Sequence, residues 1–116
     1  MHPYEALLRA SYAAFNAQDL AGTLKALGPK VEWQDQLEGV TLHGPDAVGA
    51  YWERQWAVLS PQFELKHFEL TDDDHVVLTL LQTLHGKDDK PISRGLVRHV
   101  YEFQDGLVRK MTVLYS

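Results

Sequence analysis

The chain has no cysteine, which removes disulfide frameworks, thiol nucleophiles and thiolate metal sites together. No apolar run comes near the length needed to cross a bilayer, so no membrane span is expected. Lys and Arg number 11 against 16 Asp and Glu, and they are scattered along the chain. A nucleic-acid surface needs a clustered basic face, so none is expected. There is no glycine-rich phosphate loop. The acidic run Asp72-Asp73-Asp74 lacks the glycine and distal glutamate of a calcium loop and reads as a solvated turn. His2, His43, His67 and His75 show no ligand spacing, so no metal site is expected. The opening Met1-His2-Pro3-Tyr4-Glu5 has no basic segment leading into an apolar one. A cytoplasmic protein without a signal peptide is the expectation.

What is present fits one domain spanning 1–116, long enough for one core with an internal pocket. Tyr4, Leu7, Leu8, Ser11, Ala14 and Phe15 recur at three- and four-residue steps, which predicts a helix from about Pro3 to Ala17. Asp19 is placed to cap a second short helix, with Leu20, Leu24 and Leu27 on its inner side and Gly28-Pro29 ending it. A loop is expected from Gln36 to Leu42. His43-Gly44-Pro45-Asp46 then opens a third helix, whose buried stripe is Val48, Tyr51, Trp52, Gln55, Trp56 and Leu59. Ser60-Pro61 closes it.

Beyond this point the pattern changes to period two. Strands are predicted over Gln62 to Leu70, Val76 to His85, Ile92 to Phe103 and Leu107 to Tyr115, with Asp105-Gly106 as a two-residue hairpin signal. Helices first and an antiparallel meander second make an α+β pattern. The apolar sets place Val97, His99, Tyr101 and Phe103 on one inward face, Met111, Val113 and Tyr115 on another, and Val76, Leu78, Leu80 and Leu84 on a third with Gln82 as its one polar member. Val77, Leu81, Val100 and Leu114 fall on the outer face, and a homodimer through that face is expected.

The stretch with most chemical content is Val31-Glu32-Trp33-Gln34-Asp35, a short strand in which Trp33 and Asp35 share a face. A carboxylate beside an indole suits an apolar pocket, where desolvation would make the carboxylate a better base. Trp33, Trp52 and Trp56 would supply flat walls for a ring-shaped molecule, and Tyr12, Tyr51, Tyr101 and Tyr115 supply hydroxyls.

Three segments carry a family resemblance: Ala14-Phe15-Asn16-Ala17-Gln18-Asp19-Leu20, Leu42-His43-Gly44-Pro45-Asp46-Ala47 and Phe103-Gln104-Asp105-Gly106. With the order of elements they resemble the SnoaL-like, ketosteroid isomerase-like group of the NTF2-like superfamily, over nearly the whole chain. That group includes polyketide cyclases and steroid Δ5-isomerases. The resemblance implies an α+β, cystatin-like cone: three N-terminal helices packed on a curved antiparallel sheet. It puts Asp35 where the isomerases keep their catalytic aspartate, and His99 where they keep the protonated aspartic acid of the oxyanion hole. Tyr115 falls on the pocket floor. Ser11 stands where the isomerases have a tyrosine, with Tyr12 one residue away.

The expected function is therefore a cofactor-free isomerase, cyclase or dehydratase acting on a small apolar cyclic ketone-like substrate. Asp35 is its general base, and His99 with a tyrosine supplies the hydrogen-bond donors. Ser11, Tyr12, Trp33, Tyr51, Trp52, Trp56, Gln82, Tyr101, Met111 and Tyr115 are the candidate substrate-binding residues. The alternative is a binding module of the same fold without turnover, in which Asp35 and His99 only orient a ligand. An epoxide hydrolase of this fold would need an aspartate–arginine–aspartate water clamp, and Arg98 is expected to face away from the Asp35 pocket.

Overall fold

The structure is a computed structural model describing residues 2–35 and 39–114. Helix α1, Pro3–Asn16, begins where the His2 ring accepts the Tyr4 amide at 3.1 Å, with proline in its first turn. It ends before Gln18, which takes φ 56°. Helix α2, Leu20–Leu24, is capped as expected: the Asp19 carboxylate accepts the Gly22 amide at 3.1 Å.

Gly28-Pro29 does not end a helix. Both residues lie inside strand β1, Leu27–Gln34. A proline is tolerated there because the pairing of β1 with the last strand shifts register between Leu27 and Glu32, so Pro29 is not required to donate to a regular ladder. The expected loop up to Leu42 is also shorter, since Thr41–His43 forms strand β2. Its Thr41 and Leu42 pair with Gln34 and Trp33. Residues 36–38 of that loop lie outside the described residues.

Helix α3, Pro45–Val58, starts after Gly44, whose φ of 85° favours glycine. Strands β3 (Ser60–Leu70), β4 (Val76–His85), β5 (Pro91–Gln104) and β6 (Leu107–Leu114) follow. The β5–β6 turn is the expected hairpin, with Asp105 at φ 54° and Gly106 at φ 80°. The sheet is six-stranded in the order β2-β1-β6-β5-β4-β3. It is antiparallel except where β1 runs parallel to β6. The meander is thus extended by a hairpin from the first half of the chain, added beside its last strand.

The facing predicted from period two holds where it matters. Val76, Leu78 and Leu80 of β4, His99 and Tyr101 of β5, and Met111 and Val113 of β6 are all buried. Together with Leu8 and Phe15 of α1 and Val48, Trp52 and Trp56 of α3 they form one core between the helices and the inner face of the sheet. This is the α+β cone of the NTF2-like, cystatin-like type. On the opposite face Val77 pairs with Val100 and Leu81 with Leu96, and Leu96 is 68% exposed. No described helix is long and apolar enough to cross a membrane.

Candidate functional site

Between the helices and the sheet lies a pocket open to solvent, whose empty space, counting the solvent at its mouth, is about 470 Å³. Helix α1 contributes Ser11, Tyr12 and Phe15, and Thr23 comes from α2. Strand β1 contributes Trp33 and Gln34, and helix α3 contributes Tyr51, Trp52 and Gln55. The sheet completes it with Phe63, Gln82, His99, Tyr101 and Met111. None of these carries a carboxylate, an ammonium or a guanidinium. The walls are aromatic, with Trp33 edge-on to Trp52 at 5.1 Å between ring centroids.

The chemistry of the cavity is concentrated in one hydrogen-bonded line. The Tyr12 hydroxyl lies 2.6 Å from His99 Nδ1 and 2.5 Å from the Tyr101 hydroxyl. The periodicities of the two elements explain the convergence. His99 and Tyr101 sit two apart on β5 and so point the same way. Tyr12 reaches them from the neighbouring helix. The other nitrogen of the imidazole, Nε2, is buried and has no hydrogen-bond partner among the described residues.

Burial sets the protonation of all three groups. His99 is 3% exposed, and desolvation of its charged form lowers its pKa to about 3, so the ring is neutral at physiological pH. Burial raises the Tyr12 hydroxyl well above the usual phenol range, and the adjoining Tyr101 raises it further. Burial also raises Tyr101, partly offset by its bond to Tyr12. The line is therefore three neutral groups, each able to pass or accept a proton in a hydrogen bond.

Other polar groups are paired. Gln55 Nε2 donates to the Tyr51 hydroxyl at 3.3 Å, and Ser11 Oγ donates to the Thr23 carbonyl at 3.4 Å. The Val113 amide donates to Gln34 Oε1 at 2.7 Å, which joins β1 to β6 beyond their ladder. Among the described residues no group of three or more His, Asp and Glu gathers where it would hold a metal ion.

Of the residues singled out in the sequence, the cavity brings together Ser11, Tyr12, Trp33, Tyr51, Trp52, Gln82, His99, Tyr101 and Met111. Three stand apart. Asp35 is buried, at 1% exposure, but the cavity wall at this end of β1 is Trp33 and Gln34. The strand ends at Gln34, and the Asp35 amide donates to the Val40 carbonyl at 2.9 Å. Trp56 is also not a wall residue. It lies one turn beyond Trp52 and packs on Phe15 at 5.2 Å between centroids, as plain core. Tyr115 lies outside the described residues. Sequence reasoning overlooked Phe15, Thr23, Gln34, Gln55 and Phe63 as cavity residues. Phe15 and Gln55 were legible as inward-facing helical positions. Gln34 was not, because period two puts it opposite Trp33.

The fold is that of NTF2-like proteins. The chain matches the SnoaL-like domain over residues 8–111, and it belongs to that family. A comparison with curated proteins finds no match. Among solved structures it is similar to an NTF2-like protein of unknown function from Burkholderia pseudomallei, at 23% identity and TM-score 0.86, covering 100% of this chain and 92% of that one. It is similar to a Mycobacterium tuberculosis protein in complex with estradiol-17β-hemisuccinate, at 18% identity and TM-score 0.84, covering 100% and 95%. It is likewise similar to the Δ5-3-ketosteroid isomerase of a Mycobacterium species, at 13% identity and TM-score 0.84, covering 100% and 95%.

Proposed function

We propose that this protein binds a small, uncharged, ring-shaped molecule in the aromatic cavity and holds one oxygen of that molecule on the His99–Tyr12–Tyr101 line. The observation that carries this reading is the neutral imidazole built into the wall, with one nitrogen occupied by Tyr12 and the other without a partner among the described residues. A buried polar atom of that kind is costly unless something pairs with it. Flat apolar walls with a few converging polar groups suit a cyclic ligand. An ionised ligand has no counter-charge among the cavity walls and would be disfavoured by desolvation. The steroid ester held by one structural neighbour, and the ketosteroid turned over by another, are of the ring-shaped class.

A second reading adds turnover: cofactor-free isomerisation, cyclisation or dehydration of a ketone-like ring, with Asp35 as general base. The burial of the Asp35 carboxyl directly after the wall residue Gln34 favours it. Catalytic hydrogen bonds often tighten only when substrate is bound. On this reading the His99 line stabilises the enolate oxygen. The protein is proposed to pair with a second copy through the outer sheet face.

One experiment tests both readings. Wild type, His99→Phe and Asp35→Asn are titrated with a panel of ring ketones, and product formation is followed. The binding reading expects His99→Phe to weaken affinity about tenfold or more, the value of one or two well-made hydrogen bonds. The turnover reading expects Asp35→Asn to keep affinity and lose product. A wild-type protein that binds no ring ketone would overturn both readings.

A further inference from the structure

From the geometry of the buried line we infer that it has a fixed direction, Tyr101 to Tyr12 to His99, which holds His99 as the tautomer with its proton on Nε2. The cavity then selects ligands by an acceptor oxygen. This rests on the reading of the cavity as the ligand site, and it adds which atom makes the contact and what kind of group it demands.

The argument is a proton count. Tyr101, Tyr12 and neutral His99 carry one polar hydrogen each, and they share two contacts, at 2.5 and 2.6 Å. Two hydrogens fill those contacts, so one is always left over. Which one depends on the Tyr12–His99 contact. A phenol is a far stronger acid than a neutral imidazole N–H, and an imidazole nitrogen is a far better acceptor than a phenol oxygen. The favoured arrangement has Tyr12 donating to Nδ1. That uses the one hydrogen of Tyr12, so Tyr101 donates to Tyr12 in turn. The hydrogen of the imidazole is thereby driven to Nε2, the atom with no partner among the described residues. Each bond polarises the next, which makes the terminal N–H a better donor than an isolated imidazole.

The described surroundings offer that donor no acceptor. The rings against His99 are Tyr12, Tyr101 and Phe63, and Phe63 stands edge-on at 5.6 Å between centroids. An aromatic face is a weak acceptor beside a carbonyl or enolate oxygen. Tyr101 is thus a positioning residue: it touches no ligand in this scheme, yet it fixes the direction in which Tyr12 donates.

The test has one arm without ligand and one with it. In ligand-free protein at pH 7, nitrogen–proton NMR of the histidine side chains, with His99 assigned by its loss in His99→Gln, is expected to show a protonated Nε2 and a bare, hydrogen-bonded Nδ1. In Tyr12→Phe the Nδ1 resonance should move to that of a nitrogen without a donor. A proton on Nδ1, or an imidazolium, in the wild type overturns the inference. The second arm compares 2-tetralone with tetralin, which lacks the carbonyl. The ketone should bind about tenfold more tightly to wild type, and the preference should vanish in His99→Phe. A preference that survives in His99→Phe overturns the selection step. If neither ring binds the wild type, the ligand-site reading falls with that step, while the NMR arm still decides the direction of the line.

Discussion

Asn16 and Phe63 are joined by two hydrogen bonds that copy a strand pair: Asn16 Nδ2 donates to the Phe63 carbonyl at 2.8 Å, and the Phe63 amide donates to Asn16 Oδ1 at 2.9 Å. One side chain at the end of α1 thereby occupies the free edge of β3, and Gln62 Nε2 returns a bond to the Asn16 carbonyl at 3.0 Å. Replacing Asn16 by alanine leaves two half-buried main-chain groups of Phe63 without partners. A loss of about 1–3 kcal/mol in urea denaturation is expected. Asn16→Asp keeps the acceptor and should lose less. Equal stability of wild type and alanine variant would mean that water replaces the clamp without cost.

The buried imidazole makes a signed prediction about acid. Folding lowers the His99 pKa from 6.5 to about 3, so between these values the unfolded chain binds the proton and the folded chain does not. The stability attached to this group is intact above about pH 6.5 and is lost as pH falls toward 3, at up to about 1.4 kcal/mol per pH unit. Thermal unfolding followed from pH 7 to pH 4 should show this slope in wild type and a shallower one in His99→Gln. Parallel curves would mean that other groups account for the acid sensitivity.

Tyr12 bonds both other members of the line, so Tyr12→Phe should cost more stability than Tyr101→Phe, which breaks one contact. The expected difference is about 1 kcal/mol, the value of one further buried hydrogen bond. Chemical denaturation of the two variants against wild type measures it. The reverse order would place the centre of the network elsewhere.

On the outer sheet face Leu96 is 68% exposed and Leu114 39% exposed, next to the half-buried Val77, Leu81 and Val100. If this face meets a second copy, Leu96→Asp should convert a dimer to a monomer in sedimentation while leaving the fold of each chain intact, because the side chain packs little within its own subunit. Wild type that sediments as a monomer at high concentration would remove the proposed pairing.

Much of the architecture was legible because it rests on local rules. The Asp19 cap, the Gly44-Pro45 helix start and the Asp105-Gly106 hairpin each state their geometry within a few residues. The inward face of β5 was legible from alternation alone. What escaped depends on distant parts of the chain. Pro29 reads as a stop signal until β6 lies alongside with a shifted register. Gln34 lines the wall and Asp35 does not, the reverse of what alternation with Trp33 predicts. Nothing local says that the Tyr12 hydroxyl meets β5. Trp52 and Trp56 look alike in sequence and both pack on Phe15, yet only Trp52 lines the cavity.

The parallel pairing of β1 with β6 ties Leu27 to Val108 and Trp33 to Met111, residues from opposite ends of the chain. An emerging polypeptide can build α1, α2 and the β3–β4 hairpin early, but the β1–β2 hairpin has no sheet to join until β6 has left the ribosome. Assembly of the ligand chamber is thus a late, long-range event that local helix formation cannot hasten. Without β6 the first hairpin would have no sheet to complete.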